Sequence, residues 1–221
     1  MTSEQRIIYI TGRGGDAGKG LGAYLKTIDP NRIGLSVNSI FLSLPFEQQI
    51  STIQDLLHRF DGPSTSIIAN SYGAYLLTSA LIDQPSIASQ VLLLSPALGL
   101  TLVEEEMFYS RPPNQRLWSE ALKQGRIAKP KYLAVCSGEL DAGSCNPIMV
   151  RKFSELIEAD QVQIMPNQGH QLAPTIVQSV VGLFLKPSGY TNSKDALWQR
   201  INIPLPLMIV KALCWNQLYS L

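Results

Sequence analysis

The sequence predicts an α/β fold: a doubly wound, mainly parallel sheet of about six strands, with helices on both faces and a small cap insertion. Short apolar runs typical of strands alternate along the chain with segments whose apolar residues recur at helical spacing. This alternation favours parallel strands joined by helices. The chain has 221 residues, 45% hydrophobic and 16% charged, which suits one domain with a full core.

Six runs of strand-forming residues are predicted to build the sheet. Val91–Leu94 and Tyr132–Cys136 are strongly apolar, as expected where helices cover both faces of a parallel sheet. Ligand sites in such sheets lie beyond the carboxyl ends of the strands. In chain order the predicted strands are Ile7–Thr11, Arg32–Val37, Ser66–Ala69, Val91–Leu94, Tyr132–Cys136 and Val162–Met165.

Five segments with helical spacing are predicted to connect these strands. In Phe46–Phe60 the apolar residues fall on one face, and the preceding Pro45 suits a helix start. Asn146 is predicted to cap a later helix, with Pro147 in its first turn. The predicted helices are Ala17–Lys26, Phe46–Phe60, Tyr72–Leu81, Asn146–Glu158 and Pro174–Leu185.

Two segments break the alternation. Residues 99–130 lie between two predicted strands and are too long for an ordinary connection, which indicates a cap inserted into a domain spanning residues 1–187. Residues 188–221 are predicted to form a C-terminal extension, packed on the domain or at a homodimer interface. A membrane-surface anchor and a flap over the active site are the alternatives for this extension.

Composition excludes several function classes. The net charge is +1 and basic residues are scattered, so a nucleic-acid partner is not expected. No apolar run reaches the roughly 20 residues of an integral membrane span, and the first residues lack the pattern of a signal peptide. Cys136, Cys145 and Cys214 fit neither a disulfide set nor a zinc pattern. We therefore expect a cytoplasmic protein without a metal site.

Ser71 stands where the third predicted strand turns into a helix, within the run IIANSYGA (67–74). Ala69 and Gly73 lie two residues before and after it, and a sharp strand-to-helix turn needs such small residues because neighbouring backbones approach closely. The turn would raise the Ser71 hydroxyl above the sheet and place the Tyr72 amide at a helix start, where it can stabilise an oxyanion.

Four segments resemble the α/β-hydrolase family in their order along the chain. TGRGG (11–15) follows the first strand and is similar to the family's oxyanion loop, and Ser71 occupies the nucleophile turn. SGELD (137–141) resembles the acid loop, and NQGH (167–170) resembles the Gly-His ending. The match covers roughly residues 6–186, with Ala69 in place of the family's usual glycine.

The resemblance implies a serine hydrolase that needs no cofactor. Ser71 would be the nucleophile, His170 its general base and Asp141 the acid that orients the imidazole. The Tyr72 and Arg13 amides would hold the oxyanion. Gly12 and Gly14 would keep that loop open to the substrate. The expected substrate is a small carboxylic ester or acyl thioester, cleaved through an acyl-enzyme on Ser71.

Several alternatives stay open at this point. The chain could be a non-catalytic member of the fold that binds a small ligand, or an acyltransferase or lyase with the same triad. Glu139 is the rival to Asp141 as the acid. Met107, Phe108 and Trp118 either line an acyl pocket or form the core of a helical cap. The Arg13 side chain could reach an anionic group of the substrate.

Overall fold

The computed structural model describes residues 5–100, 112–143 and 145–186. Six parallel strands form one sheet in the order β2-β1-β3-β4-β5-β6, which confirms the predicted α/β fold class. The order places β3 and β4 in the middle of the sheet, with β1 beside β3. The strands are β1 Arg6–Ile10, β2 Ile33–Leu35, β3 Thr65–Asn70, β4 Gln90–Leu94, β5 Tyr132–Gly138 and β6 Gln161–Met165.

Seven helices connect or flank the described strands. Phe46–Phe60 has the predicted bounds, and Asn146 caps its helix by accepting a hydrogen bond from the Ile148 amide at 2.9 Å. None of these helices has the length and apolar character that a bilayer crossing requires. The helices are α1 Leu21–Ile28, α2 Ser39–Leu42, α3 Phe46–Phe60, α4 Tyr72–Ala80, α5 Gln115–Lys123, α6 Pro147–Leu156 and α7 Pro174–Phe184.

The first helix begins four residues later than the sequence predicts. An aspartate turn takes those residues instead, because the Asp16 carboxylate accepts a hydrogen bond from the Gly18 amide at 2.7 Å. Gly20 then has φ 51°, a left-handed conformation that suits glycine and ends the turn. The short helix α2 was not predicted, since four residues carry no periodic signal.

The core lies on both faces of the sheet, as the apolar strands predict. Ile8, Ile67 and Leu93 belong to one buried cluster that also holds residues of α3, α4, α5 and α6. Their sequence neighbours, such as Ile68 and Leu92, are buried on the opposite face, because successive strand residues alternate. The helices α1 and α7 contact each other and account for the second layer.

The insertion is described in part, and the extension lies outside the described residues. Helix α5 lies within the predicted cap at 99–130, but residues 101–111 are outside the described part of the chain, and with them Met107 and Phe108. A compact unit ends at Leu185. The predicted extension at 188–221 and its homodimer interface also lie outside the described residues, so both stay predictions together with the domain bounds.

Candidate active site

Four loops meet at the carboxyl edge of the sheet, where parallel strands place ligand sites. The loop with Arg13 follows β1, and Ser71 follows β3 directly. Asp141 lies just after β5, and His170 follows β6 after a short loop. The strand order puts these four ends beside one another, although the residues are separated by up to 157 positions in sequence.

Ser71 occupies a sharp turn between β3 and α4. Its φ of 49° and ψ of −117° are costly for a residue with a side chain, and such strain persists only where neighbours fix it. The Ser71 amide donates to the Leu94 carbonyl at 2.9 Å, and the Ala97 amide donates to the Ser71 carbonyl at 3.0 Å. Gly73 has no room for a side chain, because a Cβ there would overlap the carbonyl oxygen of Thr11.

His170 lies between Ser71 and Asp141. Its Nε2 is 3.1 Å from the Ser71 Oγ, and its Nδ1 is 2.8 Å from an Asp141 carboxylate oxygen. Because a carboxylate only accepts hydrogen bonds, Nδ1 is assigned the proton and Nε2 accepts from the serine hydroxyl. The three side chains therefore form a continuous chain of hydrogen bonds, in which His170 can take the Ser71 proton while Asp141 holds the imidazole.

The Asp141 side chain is 3% exposed, whereas that of His170 is 44% exposed. Burial acts to raise the pKa of Asp141, but hydrogen bonds from His170 and from the Gly143 amide outweigh it and hold the pKa below its usual value. The hydrogen bond to Asp141 raises the pKa of His170, and partial burial opposes this only in part. Each group thus favours the charged form of the other.

The acid loop and the histidine loop pack backbone against backbone. A Cβ at Gly138 would overlap the carbonyls of Gln168 and Gly169, so only glycine allows this approach. The Leu140 amide donates to the Gln168 carbonyl at 2.8 Å. Glu139, the rival acid, is exposed and accepts from the Asn167 amide at 3.2 Å, while it is Asp141 that contacts His170.

The loop after β1 faces the Ser71 turn. The Thr11 hydroxyl accepts from the Val37 amide at 2.8 Å, and the Gly14 amide donates to the Val37 carbonyl at 2.7 Å. A Cβ at Gly12 would lie 3.2 Å from the Ser71 Cβ, so the loop passes close to the serine. Within the described part of the chain, the backbone N–H groups of Arg13 and Tyr72 have no acceptor.

A cleft of about 790 Å³ opens beside Ser71 and His170. Gly12 and Arg13 line it, whereas Gly14 and Trp118 do not. Trp118 is 1% exposed and lies on the buried face of α5, where its indole N–H donates to the Thr78 hydroxyl at 3.0 Å. The structure thus brings together Ser71, His170, Asp141, Gly12 and the Arg13 and Tyr72 amides, and it leaves Trp118 outside the cleft.

Other walls of the cleft were missed by sequence reasoning. They come from the turn before α1, from α1 itself and from the start of α7, and their positions depend on how these helices pack across the sheet. The spacing of α1 and α7 would identify apolar faces but not which residues reach Ser71. The residues concerned include Leu21, Tyr24, Leu172, Val177 and Gln178.

Cys145 lies behind the Asp141–His170 pair and is fully buried. The single proton of its thiol has two acceptors within reach, the Ser95 carbonyl at 2.7 Å and the Asp141 carboxylate, whose pKa the thiol helps to lower. The ligand atoms of Asp141, Cys145 and His170 lie within 4.8 Å of one another, a grouping that could hold a metal ion. These atoms already hydrogen-bond to each other or to the Ser95 carbonyl, which favours a hydrogen-bonded group over a metal site at this place.

No family model and no curated protein matches the sequence of the chain. Its fold, however, matches solved structures. The ydeN gene product from B. subtilis matches with a TM-score of 0.54 at 16% identity, covering 82% of this chain and 98% of that one. A monoacylglycerol lipase from Paleococcus ferrophilus gives a TM-score of 0.55 at 10% identity, with coverages of 81% and 93%.

Esterase PE8 is a third similar structure, with a TM-score of 0.52 at 14% identity, covering 82% of this chain and 93% of its own. Likeness at such low identity establishes the architecture and leaves the chemistry to the site itself. The segments that resemble the family in sequence therefore lie on the architecture that the resemblance implies, and the chain has the fold of the α/β-hydrolases.

Proposed function

We propose that this protein is a serine hydrolase that cleaves a carboxylic ester or thioester through an acyl-enzyme on Ser71. The observation that supports the proposal is the unbroken chain of hydrogen bonds from Ser71 through His170 to Asp141, at 3.1 and 2.8 Å. A serine hydroxyl is a poor nucleophile at neutral pH, and an adjacent base held by a third group is the arrangement that activates it.

In the first half of the reaction, the Ser71 Oγ attacks the carbonyl carbon of the substrate while His170 Nε2 takes the hydroxyl proton. The negative charge that forms on the carbonyl oxygen would be held by the Arg13 and Tyr72 amides, since neither has another acceptor in the described residues. His170 then gives its proton to the leaving alcohol or thiol, the bond to that group breaks, and the acyl group stays on Ser71.

In the second half, water takes the place of the leaving group. His170 removes a proton from the water as its oxygen attacks the acyl carbon. The bond between that carbon and the Ser71 Oγ then breaks, His170 returns the proton to Oγ, and the free acid leaves. Asp141 remains ionised throughout and stabilises the imidazolium that forms twice in the cycle. Its low pKa and 3% exposure suit this role, because the charge is fixed and shielded from water.

The similarity to an esterase and to a monoacylglycerol lipase supports an ester as the substrate. Apolar and neutral polar side chains both line the cleft, so it suits a small acyl or alcohol group better than a long uniform chain. A carboxylesterase is therefore our first choice, and an acyl-thioesterase is the second, because the same relay serves both reactions.

Labelling with a fluorophosphonate probe, followed by peptide mapping, tests the nucleophile. Ser95 lines the same cleft and is the internal control: the adduct must lie on Ser71 and not on Ser95. Ser71→Ala should lose both labelling and turnover of 4-nitrophenyl esters, by about 10⁶-fold in kcat where triads have been dissected. Labelling that survives Ser71→Ala, or a folded wild-type protein that never labels, would contradict the proposal and favour a ligand-binding member of the fold.

Product analysis separates hydrolysis from acyl transfer. With acyl-CoA and 4-nitrophenyl esters of increasing acyl length, the free acid should account for all product, and its ratio to ester consumed should be one. Product that carries the acyl group on an added alcohol in preference to water would assign the relay to an acyltransferase. The relative rates on the two series decide between ester and thioester.

A further inference from the structure

The Arg13 side chain has a defined position at the mouth of the cleft. Its guanidinium carbon lies 4.6 Å from the centre of the Tyr72 ring, in a cation–π contact. Tyr72 is 6% exposed and its ring stacks on that of Tyr75 at 5.9 Å, so the platform beneath Arg13 is rigid. Arg13 and Ser71 both line the cleft, so the residue that rests on this platform belongs to the same cleft as the serine.

The same contact leaves most of the guanidinium free. Burial raises the pKa of Tyr72, and the neighbouring charge and side chain of Arg13 oppose that rise. A guanidinium has five N–H donors around a planar rim, and stacking occupies the face of the plane rather than its rim. The remaining donors can bind a second group in the cleft.

The charges along the cleft do not cancel. Besides His170, three charged residues line it: Arg13, Asp16 and Lys19. Asp16 and Lys19 pair with each other at 3.6 Å, and both are well exposed. Within residues 5–100, 112–143 and 145–186, no carboxylate lies at ion-pair distance from Arg13. Among the described residues, the cleft thus carries one positive charge without a carboxylate partner beside the Ser71 turn.

We propose that Arg13 makes this hydrolase selective for esters that carry an anionic group, a carboxylate or a phosphate, near the bond that is cleaved. The inference rests on the proposed hydrolase function. A planar guanidinium binds such oxyanions with two parallel hydrogen bonds. A lysine ammonium, which acts as a point charge, does not offer this geometry. The substrate class is then acidic esters: half-esters of dicarboxylic acids, or acyl esters of hydroxy acids.

Matched esters test the selectivity and show which side of the ester carries the charge. Mono-4-nitrophenyl adipate and 4-nitrophenyl hexanoate differ by a carboxylate on the acyl side, and 4-carboxyphenyl and phenyl hexanoate differ on the alcohol side. The quantity measured is the ratio of kcat/KM for the anionic ester to that for its neutral partner. Comparing the ratio between variants cancels changes in the oxyanion loop that affect both esters alike.

In Arg13→Gln the ratio should fall by about tenfold for one of the two pairs, the size expected for losing a charge-assisted hydrogen bond. Arg13→Lys should retain part of the preference. Lys19→Gln is the control, since it removes one positive charge from the same cleft and should change the ratio less than twofold. An equal loss on anionic and neutral esters, or an equal effect of Lys19→Gln, would overturn the inference.

A binding measurement keeps the inference testable even where turnover is absent. In Ser71→Ala, calorimetry should give tighter binding of the anionic ligand in one of two pairs, monomethyl adipate against methyl hexanoate or 4-carboxyphenyl against phenyl hexanoate, and Ser71→Ala/Arg13→Gln should remove that difference. Equal binding within both pairs to Ser71→Ala would overturn the selectivity. Absence of hydrolysis with this binding preference intact would instead overturn the hydrolase function alone, so the two failures are distinct.

Discussion

A carboxylate oxygen of the buried Asp141 lies 2.8 Å from Nδ1 of the half-exposed His170. This hydrogen bond is the largest cause that raises the pKa of His170 above its ordinary 6.5, and burial counteracts it only in part. If His170 is the general base, it must be neutral to accept the Ser71 proton. Its raised pKa therefore sets the pH below which the rate should fall.

We expect kcat/KM on a neutral ester to fall as the pH drops, with a midpoint above 6.5, because protonated His170 cannot act as a base. Asp141→Asn should lower kcat by about 10⁴-fold, as in other triads, and move the midpoint to lower pH because the group that stabilises the imidazolium is lost. Stopped-flow release of nitrophenol between pH 5 and 9 measures both.

Glu139→Gln is the matched control for that change. Glu139 lies two residues from Asp141 but is exposed and bonded to the Asn167 amide, so its neutralisation should alter kcat less than a few-fold. A large loss in Glu139→Gln with a mild one in Asp141→Asn would reassign the acid. A profile that stays flat down to pH 4 would remove His170 as the base.

The Cys145 thiol lies between the Ser95 carbonyl and the Asp141 carboxylate. In Cys145→Ala neither acceptor keeps this donor, and because Asp141 then loses part of what stabilises its charge, kcat should fall by up to about 10-fold, the value of one ordinary hydrogen bond. Cys145→Ser, which keeps a donor, should recover most of the loss. Steady-state kinetics on one ester measures the series.

Cys136→Ala provides the control for loss of a buried thiol. Cys136 lies within β5, and burial raises the pKa of its thiol to about 12, so it is as inert as a small apolar side chain. We expect Cys136→Ala to destabilise the fold and leave kcat unchanged. Equal losses of kcat in Cys136→Ala and Cys145→Ala would show that packing alone accounts for the effect.

The turn at Ser71 depends on a small residue two positions later, Gly73. In Gly73→Ala the new Cβ would overlap the Thr11 carbonyl, so the loop after β1 must shift, at a cost of about 1–3 kcal/mol in unfolding free energy. Gly182→Ala in α7 is the control, because no atom lies within 4 Å of its Cβ. It should stabilise the protein by about 0.5–1 kcal/mol through helix propensity.

Urea unfolding followed by circular dichroism measures both glycine variants. Since the shifted loop carries the proposed oxyanion donor Arg13, Gly73→Ala should also lose kcat, whereas Gly182→Ala should keep it. Gly73→Ala that is as stable and active as the wild type would mean that the turn tolerates a side chain, contrary to the backbone approach seen here.

Residues that directly follow a strand could be placed from sequence, because a parallel sheet collects its strand ends at one edge. Ser71 is the clearest example, since an apolar strand and a small-residue helix start fix its place to the residue. The choice between Glu139 and Asp141 could not be derived from spacing alone. It depends on the turn in which the Gly143 amide holds the Asp141 carboxylate at 3.0 Å.

Residues within helices were harder to place, since periodicity predicts a buried face but not its neighbour. Leu21 and Val177 line the cleft only because α1 and α7 pack together on one face of the sheet. Trp118 illustrates the opposite case. From sequence, an aromatic residue in a cap-like segment fits an acyl pocket and a core equally well. In the structure, Trp118 packs against rings from α4 and α6.

Trp118 tests whether this segment supports the core or the substrate. Its ring lies 5.9 Å from that of Tyr75 and 5.8 Å from that of Phe153, and its N–H bonds to Thr78. Trp118→Phe removes the hydrogen bond and some packing, so we expect a loss of about 1–3 kcal/mol in unfolding free energy. The ratio of kcat/KM for hexanoate and acetate esters should not change, because Trp118 does not line the cleft.

Leu117→Ala is the control within the same helix. Leu117 is 52% exposed, and substitutions at such positions usually change stability by no more than about 0.5 kcal/mol. Denaturant unfolding of the two variants, with the two esters assayed alongside, separates the interpretations. If Trp118→Phe left stability unchanged and altered the acyl-length ratio, Trp118 would have to reach the substrate, and α5 would need a second position over the cleft.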